Sequence, residues 1–197
     1  NLDQTVLRHL NSKFQKPLTS YNIEAYEFAL HRKGGKKLIL DSGCGNGKST
    51  RLLAKQFPEH FVIGIDKSAA RIAKGKDQPT NSNENFCVVR ADLTDFWRLA
   101  VADRLGLDKH VVLYPNPWPK SQHLKRRWHG SPLFKSILEL GGQLELRSNW
   151  HIYTQEFQRA LQLAGISADL VSLKSDGLED MTDFETKYRL SGNQLWQ

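Results

Sequence analysis

The sequence predicts an α/β fold, a doubly wound and mostly parallel sheet with helices on both faces. Two observations carry this expectation. Short apolar runs rich in Val, Ile and Leu alternate with segments whose apolar residues recur at helical spacing, the pattern of strand–helix–strand units. The first three runs also close on or just before an acid, Asp41, Asp66 and Asp92, which brings three carboxylates to one edge if the strands are parallel.

Residues 1–35, with the stretch LRHLNSKFQKPLTSYNIEAY, mix basic and aromatic side chains and are expected to form an arm or short helices ahead of a domain at 36–197. Lys37 to Leu40 is the first strand, after which Leu52, Leu53 and Phe57 repeat at helical spacing until Pro58. Phe61 to Ile65 is the second strand and Ala69 to Lys76 a helix. The polar cluster KDQPTNSNEN reads as a loop, Asn85 to Val89 as the third strand, and Asp95 to Leu105 as a helix. His110 to Leu113 is the fourth strand, and a helix follows Pro132. Gln143 to Leu146 is the fifth strand, and Tyr153 to Leu163 forms an amphipathic helix that ends near Gly165. The stretch from Phe184 to Leu190 is expected to add a strand antiparallel to the rest.

A chain of 197 residues holds one domain with a full core. It contains no run of about 18 apolar residues, so no membrane span is expected. Cys44 and Cys87 match no zinc or redox spacing, which sets aside a metal site and makes a reducing compartment, the cytoplasm, the default. The balance of 28 Lys+Arg against 21 Asp+Glu gives +7, which favours polyanions such as nucleic acid without proving that one binds.

The stretch LDSGCGNGKST, Leu40 to Thr50, ends like a triphosphate loop. Counting back from Gly47-Lys48-Ser49, however, the position that needs the first glycine of that loop holds Ser42. Asp41 beside the turn would repel a triphosphate, and the G-x-G-x-G spacing of Gly43, Gly45 and Gly47 also departs from the G-x-G-x-x-G of dinucleotide sites. A nucleoside without phosphates suits the turn better. Asp66 lies about 20 residues on, where an acid takes ribose hydroxyls, and Asp92 in VVRAD would accept from an adenine amine. The preferred ligand is S-adenosyl-L-methionine, whose sulfonium is positive. Its candidate contacts are Asp41, Gly43, Gly45, Asp66, Lys67, Ala91, Asp92 and Asn116.

The most specific text follows the fourth strand: YPNPWPKSQHLKRRWHG, Tyr114 to Gly130. Two prolines fix the backbone around Asn116 and present its side chain on a rigid turn. Trp118 offers a stacking face. Lys120, His123, Lys125, Arg126, Arg127 and His129 then form a basic segment interleaved with Trp118 and Trp128, a composition suited to phosphates and bases together.

Taken in order, DSGCGNG, GID, RAD, PNPW, HLKRR, SNW and TDFE resemble the motifs of the tRNA (guanine-N7) methyltransferases, from about Lys37 to Leu190. The resemblance implies a Rossmann-like fold with a seven-stranded sheet, S-adenosyl-L-methionine as cofactor, and RNA, above all tRNA, as partner. It implies Asn116, His123 and Arg126 as catalytic, and Lys120, Lys125, Arg127, Asn149, Thr182 and Glu185 as substrate-binding.

Three positions depart from that family's pattern. Asn116 and Asn149 stand where it has aspartates, and Gln122 where arginine is common. Guanine N7 carries a free lone pair, so methyl transfer to it is mostly a matter of positioning, and loss of one carboxylate is survivable. Two other readings stay open: a methyltransferase for another RNA or base, and a cofactor-binding RNA-binding protein without catalysis. The sequence leaves the oligomeric state open.

Overall fold

The computed structural model describes residues 1–75, 84–174 and 179–197. Five strands form one parallel sheet in the order β3-β2-β1-β4-β5. They are β1 Lys37–Ser42, β2 His60–Asp66, β3 Phe86–Arg90, β4 Lys109–Leu113 and β5 Gln143–Arg147. The order reverses between β1 and β4, where Asp41 pairs with Val111. Beyond the carboxyl ends of these two strands lies the crevice in which such sheets bind ligands.

Alternation along the strands divides the core into two layers. Leu38 and Leu40 of β1, with Phe61, Ile63 and Ile65 of β2, face one side. Ile39, Val62, Val111 and Leu113 face the other. The first layer is covered by α1 Leu2–Leu10, α2 Ser20–Lys33, α5 Leu93–Ala102, α6 Phe134–Leu140 and α7 His151–Leu163. Val6, Tyr26 and Ala29 of the two leading helices are buried in that same core. On the second side lie α3 Lys48–Gln56, which supplies Leu53 and Ala54, and Met181, the residue before the cap of α8 Asp183–Leu190. The short α4 Ala69–Ala73 follows β2.

Helix α2 is tied to the start of α5. Asn22 Nδ2 donates to Asp95 Oδ2 at 2.7 Å, and Asn22 Oδ1 accepts the Asp92 N–H at 2.9 Å. Both groups lie in a layer closed to solvent, where an unpartnered amide would be costly.

Two expectations need correction. The sheet has five strands, not seven, among the described residues. The stretch Phe184 to Leu190 is helix α8, not a strand. Its sequence T-D-F-E is a helix start: Thr182 Oγ1 accepts the Glu185 N–H at 3.0 Å, acids lie in the first turn, and Lys187 and Arg189 in the last. Near the end of the chain, isolated antiparallel bridges join Trp196 to Ser148 and to Ser172. Of the polar loop KDQPTNSNEN, residues 76–83 lie outside the described residues, as does the expected end of α4 at Lys76.

Candidate active site

The glycine turn after β1 is held from below. Gly43 and Cys44 N–H both donate to the Ile65 carbonyl, at 2.8 and 3.0 Å. Asp41, 1 % exposed, accepts the hydroxyls of Ser49 and Thr50 at 2.6 and 2.7 Å, which pins the first turn of α3 under the loop. Burial pushes its carboxyl up to about 6, against the two hydroxyl bonds. Asp66 accepts Gly45 N–H at 3.0 Å with one oxygen and Ser68 N–H at 2.8 Å with the other. Gly43 and Gly45 have φ of +84° and +61°, and a Cβ on either would meet only open space. The turn is therefore a bare backbone concavity, the shape a flat nucleoside needs.

Lys48, the lysine of the apparent triphosphate loop, pairs with Glu179 at 3.6 Å and Asp183 at 4.0 Å. Asn46 Nδ2 also donates to Asp183 Oδ2 at 2.9 Å. The turn is thus fastened to the start of α8 by groups that a triphosphate would require free.

Ser42 does work in the interior. Trp97 Nε1 donates to its Oγ at 3.0 Å, and His110 Nε2 lies 2.8 Å from the same oxygen. Indole can only donate, so Ser42 Oγ accepts from Trp97, and the same oxygen bonds His110 Nε2. Burial holds His110 down to about 3, which keeps it neutral.

After β4 the chain turns sharply, with φ of +50° at Tyr114 and +44° at Trp118. Asn116 Oδ1 accepts the Trp118 N–H at 3.2 Å, a local side-chain turn that stabilises this backbone. One amide group is thereby used, and the exposed Asn116 keeps its NH2 as a donor. Arg127 grips the same turn, donating to the Trp118 carbonyl from Nε at 3.2 Å and Nη2 at 3.0 Å, and to the Pro119 carbonyl at 3.3 Å. Its remaining face meets Glu156 of α7, whose Oε2 also bonds His129 Nε2 at 3.0 Å.

Trp118 itself sits at the surface with the Arg126 guanidinium 4.7 Å over its ring and His123 edge-on at 5.5 Å. Burial, then Arg126 and Lys120, holds His123 below the ordinary histidine value, so it is neutral near pH 7. Lys120, Lys125 and Arg126 are exposed around it, on and beside the 3₁₀ turn Ser121–Arg126.

A cleft of about 520 Å³ opens between the two turns and α8. Of the residues singled out in the sequence, Gly43, Gly45, Asn116, Asn149 and Thr182 line it. Asp41 and Asp66 lie behind the glycine turn as its supports, and Ala91 is buried with its N–H on the Asp66 carbonyl at 3.2 Å. Lys67 is exposed. Asp92 caps α5, its carboxylate accepting the Thr94 N–H at 2.8 Å.

Two assignments do not match the geometry. Arg127 is 6 % exposed and its donors are occupied, so a phosphate cannot reach it. Glu185 is 2 % exposed and bonded to Arg147 Nη1 at 3.0 and 3.2 Å, so it braces α8 against β5 rather than facing a base. Sequence reasoning missed Arg71, Lys74, Phe184, Lys187 and Tyr188, all of which line the cleft. The signal for the last three was their i, i+3, i+4 spacing, which forms one face only once the stretch is helical.

Comparison with known proteins agrees with this arrangement. The family described as "Putative methyltransferase" matches residues 35–197. The chain is 24 % identical over 198 residues to the tRNA (guanine-N(7)-)-methyltransferase of Actinobacillus succinogenes, covering 95 % of this chain and 78 % of the relative. It is 29 % identical over 168 residues to the protein of the same name from Neisseria meningitidis serogroup B, covering 80 % and 68 %. Among solved structures, that of an antibiotic-related methyltransferase superposes with a TM-score of 0.58 at 14 % identity, over 93 % of this chain and 94 % of the other. A 16S rRNA (adenine(1408)-N(1))-methyltransferase from Catenulisporales acidiphilia gives 0.56 at 15 %, over 92 % and 91 %, and at such identities the likeness concerns the fold. With a glycine turn and an Asn116 turn meeting at the switch point of a parallel sheet, and with the match spanning residues 35–197, the chain belongs to this methyltransferase family.

Proposed function

We propose that the chain transfers the methyl group of S-adenosyl-L-methionine to N7 of a guanine in tRNA. The observation that carries this reading is the convergence of Gly43, Gly45, Asn116, Asn149 and Thr182, from four separate segments, on one cleft. The relatives named as tRNA (guanine-N(7)-)-methyltransferases supply the base and the RNA.

The residues present fit the cofactor. The open backbone at Gly43 and Gly45 would receive a nucleoside face, and Asp66 anchors that turn by its bond to Gly45 N–H. When bound, S-adenosylmethionine supplies an electrophilic methyl group on a cationic sulfur. Guanine N7 needs no base to release its lone pair, so the protein's part is to hold the ring in line and to exclude water. Asn116 and Asn149 are the amides in the cleft available for that purpose, and the Trp118, His123 and Arg126 cluster beside them suits stacking and phosphate contact. On this reading residues 36–197 form the catalytic domain, preceded by the helices of residues 1–35. No helix among the described residues is long and apolar enough to cross a membrane. The two buried, unpaired cysteines fit a reducing compartment such as the cytoplasm.

One observation favours a second reading. One lone pair of Asn116 Oδ1 is taken by the Trp118 N–H while its NH2 makes no bond among the described residues, so the less engaged end of the amide is a donor, whereas guanine N1–H and N2–H call for an acceptor. A base presenting an acceptor at that place would be read equally well.

The test is incubation with methyl-labelled S-adenosylmethionine and tRNA, followed by digestion to nucleosides. Label in 7-methylguanosine is the expected result. Label in another nucleoside would overturn the assigned position, and bound cofactor without any transfer would overturn catalysis.

A further inference from the structure

The cleft has two lips of similar chemistry. One is the Tyr114–Pro117 turn, which lines the cleft and runs directly into the basic aromatic segment of Trp118, Lys120, Lys125 and Arg126. The other is built from α4 and α8 and brings Arg71, Lys74, Phe184, Lys187 and Tyr188 to the same opening. Phe184 is 48 % exposed, its ring 6.2 Å from Tyr188 and nearly parallel to it, at 24°. Tyr188 in turn lies 5.8 Å from Tyr114, the first residue of the turn that presents Asn116. An aromatic row therefore runs from the Asn116 turn out to a half-exposed phenyl ring.

Among the described residues, no acid of this lip pairs with Lys74 or Lys187. Its acids are engaged: Asp183 with Asn46 and Lys48, Glu179 with Lys48. Arg71 approaches the buried Asp66 only at 3.7 Å and remains 60 % exposed. Lys74 and Lys187 are exposed at the rim. A stacking ring among such cations is the composition that tracks a single-stranded nucleic acid, bases on the aromatic faces and backbone on the charges.

We propose that the α4–α8 lip is a second RNA contact, in which Phe184 stacks on a nucleobase adjacent to the methylated one and Lys74, Arg71 and Lys187 hold its phosphates. The inference rests on the reading of the substrate as RNA. It places the strand across the cleft, with Asn116 between two basic aromatic lips, and gives α8 a task that its capping and bracing residues do not explain. The carboxylate of the cofactor is the other anion that cations here could hold, so the experiment must separate the two.

The test uses the full chain, with two variants at exposed positions, Lys74→Gln/Lys187→Gln and Phe184→Leu. Phe184→Tyr keeps an aromatic face at that position. tRNA affinity is followed by fluorescence anisotropy across a salt series, and cofactor affinity by calorimetry. The lysine pair should flatten the dependence of log K on log salt by about two units, and Phe184→Leu should weaken RNA binding by roughly tenfold, with Phe184→Tyr near wild type. Cofactor affinity should not change. An unaltered salt slope, or weakened cofactor binding with RNA affinity intact, would overturn the proposal. If Phe184→Leu does not fold, the salt slope of the lysine pair decides alone. Because these readouts are of binding, they are independent of which nucleoside carries the label in the methylation assay.

Discussion

Arg127 Nη2 lies 3.0 Å from the carbonyl of Trp118, and the same guanidinium reaches Glu156 on α7. The turn that displays Asn116 and Trp118 is thus bolted to a helix of the core, and its positive-φ residues are held from outside as well as by Asn116's own bond to Trp118 N–H. Strained backbone persists where the surroundings over-determine it.

Arg127→Ala should therefore destabilise the fold, by about 3 kcal/mol, because it strips Glu156 of one partner and two carbonyls of their donor. Thermal or urea denaturation measures this. Loss below about 1 kcal/mol would mean the turn holds without its bolt.

Lys125 and Arg126 should behave differently. Both are exposed, so Lys125→Gln/Arg126→Gln should leave stability within about 0.5 kcal/mol and flatten the salt dependence of RNA affinity by up to about two units. An unchanged salt slope would assign them to a solvated face.

The contrast between these neighbours marks how far the sequence was legible. The strands could be read because their apolar runs and closing acids are local signals, and the glycine turn because only glycine accepts its φ values. That Arg127, and not Arg126, turns inward depends on the rotation of the 3₁₀ turn that ends at Arg126, which three consecutive cations do not encode. Likewise Asp41, Asp66 and Asp92, each at or near the end of a strand, look alike in sequence. Only the fold separates a buried anchor for Ser49 and Thr50, a support for Gly45, and a helix cap. The start of α8 is a local signal, a threonine cap followed by acids, which the expectation of a strand over Phe184 to Leu190 leaves unused. Lys74 and Lys187 meet only through tertiary structure.

Asp41 gives a pH signature. Its folded carboxyl is raised from 3.8 to about 6, so the folded state holds its proton more tightly than the unfolded chain. The stability this contributes is fully present below about pH 4 and lost as pH rises through about 6. Asp41→Asn removes that titration. The stability of wild type relative to the variant should fall between pH 4 and pH 6, by roughly 3 kcal/mol for a shift of this size. A constant difference across that range, from urea denaturation at each pH, would show that Asp41 is not strained by burial.

The last prediction concerns Asn116, where the turn makes the experiment clean. An aspartate there would accept the Trp118 N–H with one oxygen as the amide does, so Asn116→Asp should preserve the backbone and exchange only the outward group, a donor for an acceptor. Facing guanine, that acceptor gains a charge-assisted bond to N1–H or N2–H, and the negative charge sits near the positive charge that grows on the ring as N7 is methylated. The initial rate of methyl transfer to tRNA at saturating cofactor should then rise, by up to about a hundredfold. A fall in rate would mean instead that the NH2 of Asn116 donates to an acceptor on the base, and that the amide defines which edge is read. Equal rates, with both proteins folded, would place Asn116 in the turn alone and move the search for the base-reading group to Asn149, a second amide that lines the cleft.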